Sequence, residues 1–250
     1  MRPRLLFVLM FLAAMVPTVG VAQTPSLVVE LEAGPVWQSS NEVEIPNDGT
    51  ATRFSLVDLV GNGPWPAGRL QVTWIVGERH ALWALFAPLT LTETGRPDES
   101  IAFAGETYGG GRETDVAYRF NSYRLSYRYR VYSAERTRAW VGFTAKLRDA
   151  VVELEQGATT SRKTDRGFVP LLHLAGNWQF APPWSLNLTA DALAGGPGRA
   201  IDAALTVGYD LDRKWTIQAG YRTLEGGADV SDVYNFTWLH YPVFSVSRSF

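Results

Sequence analysis

The side chains that could carry chemistry in this 250-residue chain are charged and regularly spaced. Arg124, Arg128 and Arg130 alternate with other residues, as do Lys146 and Arg148 a little further on. In an extended strand, residues two apart share a face, so each group forms a cationic ladder. Glu30, Glu32, Asp191 and Asp202 take the corresponding positions on other segments, with Arg222 on another. Such a set has two chemical uses. One is a salt-bridged interior that fixes shape; the other is an anion-binding stripe for phosphate or carboxylate groups. Neighbouring cationic ladders repel unless carboxylates or water intervene. The salt-bridged interior is therefore the expectation, with the four carboxylates neutralising the cations.

Other constellations are weaker. Three His (His80, His173, His240), no Cys and no ligand spacing argue against a metal site, and no cofactor is expected. Ser126, His173 and Asp191 can be combined into a nucleophile–base–acid set, but so can residues of any barrel. His173 is expected as a hydrogen-bonded interior His, and His80 as a surface residue in a turn. Glu225-Gly-Gly-Ala-Asp-Val-Ser-Asp232 lacks the alternating oxygen ligands and closing Glu of a calcium loop, so it reads as a hairpin loop. Gly109-Gly-Gly111 reads as a flexible tip. Glu93, Arg96, Asp98, Arg112 and Asp115 supply rim charge without a nucleophile–base pair.

The elements that position these groups follow from periodicity. Residues 1–22 read as a signal peptide: Arg2 and Arg4, an apolar run from Leu5 to Val16, then Gly20-Val21-Ala22 before Gln23. Residues 23–250 read as one all-β domain. Strands are expected at 26–37, 68–76, 81–92, 117–132, 139–153, 168–180, 184–194, 200–210, 215–225 and 233–250. Along them apolar residues alternate with polar ones, as in Leu125, Tyr127 and Tyr129 against Arg124, Ser126 and Arg128. Tight turns at 77–80, 133–138, 181–183 and 211–214 alternate with longer excursions at about 38–67, 93–116, 155–166, 195–199 and 226–232. An apolar segment, Phe54–Val60, sits in the first excursion and reads as a short helix or hairpin extension. Aromatic pairs flank the tight turns: Trp74 and Trp83, Tyr129 and Trp140, Trp178 and Trp184, Tyr209 and Trp215. Net charge of −2 argues against a nucleic-acid partner.

The last segment, Phe244-Ser-Val-Ser-Arg-Ser-Phe250, would point Phe244, Val246 and Phe250 outward and its serines inward. With the export signal and alternating strands, it resembles the ending of small Gram-negative outer-membrane β-barrel proteins. The resemblance spans essentially the whole mature chain and rests on pattern rather than on a motif. It implies a transmembrane antiparallel up-and-down barrel of ten strands, with eight the alternative, both termini periplasmic and Phe250 read by the assembly machinery. It implies outer-membrane lipid and the barrel-assembly machinery as partners, and a monomer. Ten strands is also the count of omptin-type proteases, but their paired acidic residues and Asp–His couple cannot be placed here. A barrel this narrow has little free bore. The leading expectation is a structural or surface-contact protein with a charged, plugged lumen. A narrow channel for small anionic solutes comes second, and a surface-acting or lipid-modifying enzyme third.

Overall fold

The structure is a computed structural model that describes residues 26–250; the expected signal peptide lies outside the described residues. In chain order the elements are β1 (Ser26–Glu44), β2 (Phe54–Ser55), α1 (Leu56–Val60), β3 (Trp65–Val76), β4 (His80–Ala87), β5 (Thr90–Gly95), β6 (Ile101–Phe103) and β7 (Glu106–Tyr108). Then follow β8 (Thr114–Ser133), β9 (Thr137–Gln156), β10 (Thr159–Ala181), β11 (Trp184–Gly195), β12 (Gly198–Asp210), β13 (Trp215–Val230) and β14 (Val233–Ser249). The sheet runs antiparallel in the order β1, β3, β4, β8, β9, β10, β11, β12, β13, β14, and β14 also pairs with β1, from Val28↔Ser249 to Glu44↔Tyr234. That last pairing closes the sheet. β5 continues β4 after a break at Pro88, which has no N–H to give, and β2 is a two-residue arm on β1. Ten staves remain, as the alternation implies.

The four tight turns fall where expected, between β3 and β4, β8 and β9, β10 and β11, and β12 and β13. Local chemistry makes them. Gly77 takes φ +64°, and the Asp212 carboxylate accepts the backbone N–H groups of Lys214 (2.7 Å) and Trp215 (2.8 Å). At the other end, hereafter the loop end, three of the five expected excursions are corrected. Residues 155–166, 195–199 and 226–232 are mostly strand, turning only at 157–158, 196–197 and 231–232. Their polar or Gly-rich composition marks strand that has left the apolar belt rather than loop; Arg162, for example, pairs in register with Glu153.

Alternation sorts the side chains as expected on most staves. Leu31, Leu125, Phe143, Leu147 and Leu205 are exposed on the outside, while Glu32, Arg124, Thr144 and Asp202 are buried within. Two of the turn-flanking aromatics point inward: Trp140, whose parity already differs from that of the outward residues of β9, and Trp83, whose place beside a turn suggests the outer face. Trp83 pairs with Thr73, and Trp140 with Arg130, and partners in register share a face. Trp83 is only 2% exposed.

The two long connections fold into the loop end. Ser55 caps α1 by accepting the Asp58 N–H at 3.2 Å, and Leu56 and Leu59 are buried. Gly95 permits the approach of α1, since a Cβ there would lie 1.8 Å from the Leu59 carbonyl oxygen. The β6–β7 hairpin turns through Ala104 and Gly105, both at positive φ. Its Phe103 and Tyr108 join Leu56 and Leu59 in one buried cluster with inward wall residues such as Tyr118, Leu154 and Leu239. The Tyr108 hydroxyl is satisfied by the Leu154 carbonyl (2.9 Å) and Ser161 (2.7 Å). The lumen is thus apolar at the loop end and charged at mid-height, as the inward face of β8 shows: Val116, Tyr118 and Phe120, then Ser122, Arg124 and Ser126.

Candidate functional site: the charged layer of the lumen

The register of β11 and β12 sets two carboxylates side by side, Asp191 opposite Asp202. Like charges so placed would destabilise the pair unless cations came between them. Three arginines do. Arg124, from β8, donates to Asp191 (2.7 Å) and to Asp202 (2.6 Å). Arg69, from β3, reaches Asp202 at 3.1 Å and stands 3.5 Å from Glu32. Arg222, from β13, donates to Asp202 (2.7 Å) and forks onto both oxygens of Glu32 (3.0 and 2.8 Å). Three guanidiniums balance three carboxylates, and all six side chains are buried. Planar, forked guanidiniums suit this work because each can bridge two acids.

Around this core the remaining valences are filled. Gln71 donates to Glu32 (3.1 Å), and Arg124 donates from Nε to Ser122 (3.0 Å). Asp191 accepts from Thr144 (2.6 Å) and bonds His173 Nδ1 (2.7 Å). His173 is 1% exposed, lies against the Trp83 ring at 5.5 Å between centroids, and leaves Nε2 without a partner. The three residues combined from sequence do not form a catalytic set. Ser126 bonds Thr144 (2.5 Å), so a second hydroxyl, not the imidazole, is its neighbour.

Of the ten charged residues expected to cluster, Glu32, Arg124, Asp191, Asp202 and Arg222 meet in this layer. Glu30, Arg128, Arg130, Lys146 and Arg148 do not. Arg148 pairs with Asp165, and Glu30 accepts a long bond from Gln218 (3.3 Å). Among the described residues Arg128, Arg130 and Lys146 form no ion pair. Arg128 lies over the Trp83 ring at 4.6 Å with its Nε unpartnered, and Lys146 over Phe120 at 4.9 Å. Arg69 belongs to the layer and was missed as a member. Its inward parity is the signal the sequence offers; its place opposite Glu32 emerges only from the register of β1 and β3.

The layer separates two cavities. One, of about 450 Å³ on the turn side, is lined by Glu30, Arg128, Arg130, Trp140 and Gln218 among others. The other, of about 660 Å³ toward the loop end, is lined by Lys146 and Arg148. They share no lining residue.

On the outer face, Phe244, Val246 and Phe250 are exposed, and the Arg248 guanidinium stacks on Trp215 (5.2 Å) and Phe250 (4.7 Å). His240 also lies on this face. Its Nε2 is 2.7 Å from Ser39 Oγ, and its Nδ1 bonds the Tyr221 hydroxyl. Ser39 is set there by a register shift in β1 between Gln38 and Ser40.

No protein-family model matches the sequence, and neither does any curated protein. Solved structures do. The outer-membrane protease OmpT of Escherichia coli superposes with a TM-score of 0.63 at 8% identity, over 90% of this chain and 97% of that one. Lower scores relate the chain to the attachment invasion locus protein Ail of Yersinia pestis (0.38, 12% identity, 90% and 98%) and to Neisserial surface protein A (0.41, 13%, 91% and 100%). At such identities the likeness concerns architecture alone: the chain has the fold of an outer-membrane β-barrel, closed and ten-stranded, with no subfamily assigned.

Proposed function

We propose that this protein is a non-conducting outer-membrane barrel with a structural or surface-contact role. The observation that carries the reading is the double obstruction of the lumen, a neutralised Arg–carboxylate layer at mid-height and an apolar lid above it. The exposed belt of Leu, Phe and Trp side chains supports the membrane setting. We place the tight turns and both termini in the periplasm, the lid at the cell surface, and Phe250 as the residue read by the assembly machinery. The barrel would work as a monomer in outer-membrane lipid, without nucleic acid. Deleting Phe250 should slow insertion and leave periplasmic degradation products; undiminished outer-membrane levels would refute that role. Planar-bilayer recording tests the closed lumen: no unitary currents are expected, and an anion-selective parent channel would overturn the plug in favour of a solute pore.

One observation favours a second reading, a lipid-acting enzyme. Ser39, His240 and Tyr221 form a hydroxyl–imidazole–phenol chain on the outer face. That is the arrangement of acyl transfer: Oγ attacks an ester carbonyl, its proton passes to Nε2, and the leaving alkoxide takes it back before water releases the acyl group. A fluorophosphonate probe should then label Ser39 and fail on the Ser39→Ala variant. Absence of labelling, with no ester hydrolysis in mixed micelles, rejects this reading.

A further inference from the structure

The hairpins of the wall are unequal in length. β10 pairs with β9 from Thr159 to Trp178, but with β11 only from Leu172 onward, because the β11–β12 turn comes early, at 196–197. From Thr159 to Leu171 one edge of β10 has no strand partner among the described residues, which leaves a notch in the barrel wall. The lower part of the notch lies within the apolar belt. Phe168, 63% exposed, is in register with the exposed Leu147. An unpaired edge is not tolerated against hydrocarbon, where its N–H and C=O groups find no partner, unless it lines a cavity that supplies one.

A cavity is there. The loop-end space of about 660 Å³ opens through the notch and runs inward to Phe120, Lys146 and Arg148. This is the size of a small-molecule site. Its mouth is apolar, formed by Phe168, Pro170 and Leu193, and Leu193 is 40% exposed although its parity is inward. Its charges do not balance. Arg148 is matched by Asp165, Arg199 by Glu225 and Arg166 by Asp149, while Asp232 lies at the rim. Lys146 and Lys163 have no ion-pair partner among the described residues, and Lys146 is buried at the floor.

We propose that this cavity binds a long-chain carboxylate that enters sideways from the membrane, its chain along the Phe168–Leu193 mouth and its head on Lys146. An ammonium sunk in a largely apolar wall calls for an anion, and the lateral apolar mouth calls for a chain. The site depends on the barrel's being in a membrane but not on its lumen being closed.

The test uses the full barrel refolded in nanodiscs of zwitterionic lipid, titrated calorimetrically with dodecanoate, dodecanol and inorganic phosphate. Saturable 1:1 binding of dodecanoate is expected, with dodecanol at least tenfold weaker and phosphate undetected. Lys146→Met should weaken dodecanoate at least tenfold. Leu193→Trp, which fills the mouth and keeps every charge, should weaken it as well, and serves as the second variant should Lys146→Met fail to fold by heat-modifiable gel mobility. Equal binding of dodecanol, phosphate as tight as dodecanoate, or no saturable dodecanoate binding would each overturn the site. A parent that conducts yet binds dodecanoate would uphold the site while refuting the closed lumen.

Discussion

Two tiers of one lumen are held by opposite means, and the contrast shows what each tier is for. At mid-height the barrel buries six charges whose value lies in their mutual arrangement. Asp202 alone joins β3, β8 and β13 to its own strand through Arg69, Arg124 and Arg222. At the loop end the filling is Leu, Phe, Tyr and Val, with two connections packed down onto the inward residues of the staves. Charges taken from water are not cheap, and a buried pair seldom stabilises more than a well-packed apolar substitute would. The layer is therefore a cross-brace that fixes the spacing of distant strands, whereas the lid is a cap that gains stability from burial. The wall makes either filling possible, because closure of β14 on β1 satisfies its backbone everywhere but at the β10 notch.

The comparison breaks most visibly at Asp202. Asp202→Ala leaves three guanidiniums to two carboxylates in a dry interior, and losing one partner of a buried pair costs about 3–5 kcal/mol. Urea unfolding in lipid vesicles should show the whole barrel destabilised by roughly that much. A loss below about 1 kcal/mol, the level of an exposed surface pair, would mean that water already screens the layer. In the lid, Phe103→Ala removes a comparable amount, about 3–5 kcal/mol, by opening a cavity. Here the cost should fall on the lid itself. Proteolysis within residues 96–113 should accelerate while the unfolding midpoint of the barrel barely moves. A shift of both together would make lid and wall one cooperative unit.

A third substitution checks the frame on which both tiers depend. Leu125 is exposed on the outer face, and Leu125→Arg should cost roughly 2–4 kcal/mol near the bilayer midplane. Thr206→Arg, on the inner face, should cost only through crowding. Equal effects would mean that the alternation does not separate a lipid face from a lumen face.

Most of the wall was legible because a period of two is a local signal, strong wherever one face meets lipid and the other does not. It failed where that contrast ends. Past the apolar belt, residues 159–166 are polar on both sides and 226–230 are Gly-rich, and both read as loop, though they are paired strand. Parity also placed the inward charges, but it could not choose their partners. Which acid meets which base depends on stagger around the closed barrel, a non-local quantity that no single strand encodes. Arg69 was thus overlooked as the third ligand of Asp202, and Ser126 was set beside His173 although Thr144 stands between it and Asp191. Trp83 reads as an outer-face residue by its nearness to a turn, whereas register with Thr73 turns it inward. The lid's Leu56 and Leu59 were legible as apolar, but not as part of a core assembled from two connections.

The smallest effect is expected at Arg128, which sequence alone would place among the neutralised cations. It faces the lumen on the same strand as Arg124 but forms no ion pair among the described residues. What holds it is the Trp83 ring, 4.6 Å from the guanidinium carbon. Such a contact contributes about 0.5–2 kcal/mol, depending on how dry it is. Against that stands the cost of a largely buried cation whose Nε has no partner, about 1–3 kcal/mol for an unsatisfied buried group. The two nearly cancel, so Arg128→Met, which keeps the apolar stem, should leave stability within about 1 kcal/mol of the parent or raise it. Arg124→Met, four residues away on the same face, should cost about 3–5 kcal/mol because it strips Asp191 and Asp202 of a shared partner. Paired urea titrations of the two variants measure the difference directly. Equal losses would show that Arg128 is bound into the charged layer after all, and that the layer reaches further toward the turns than its hydrogen bonds do.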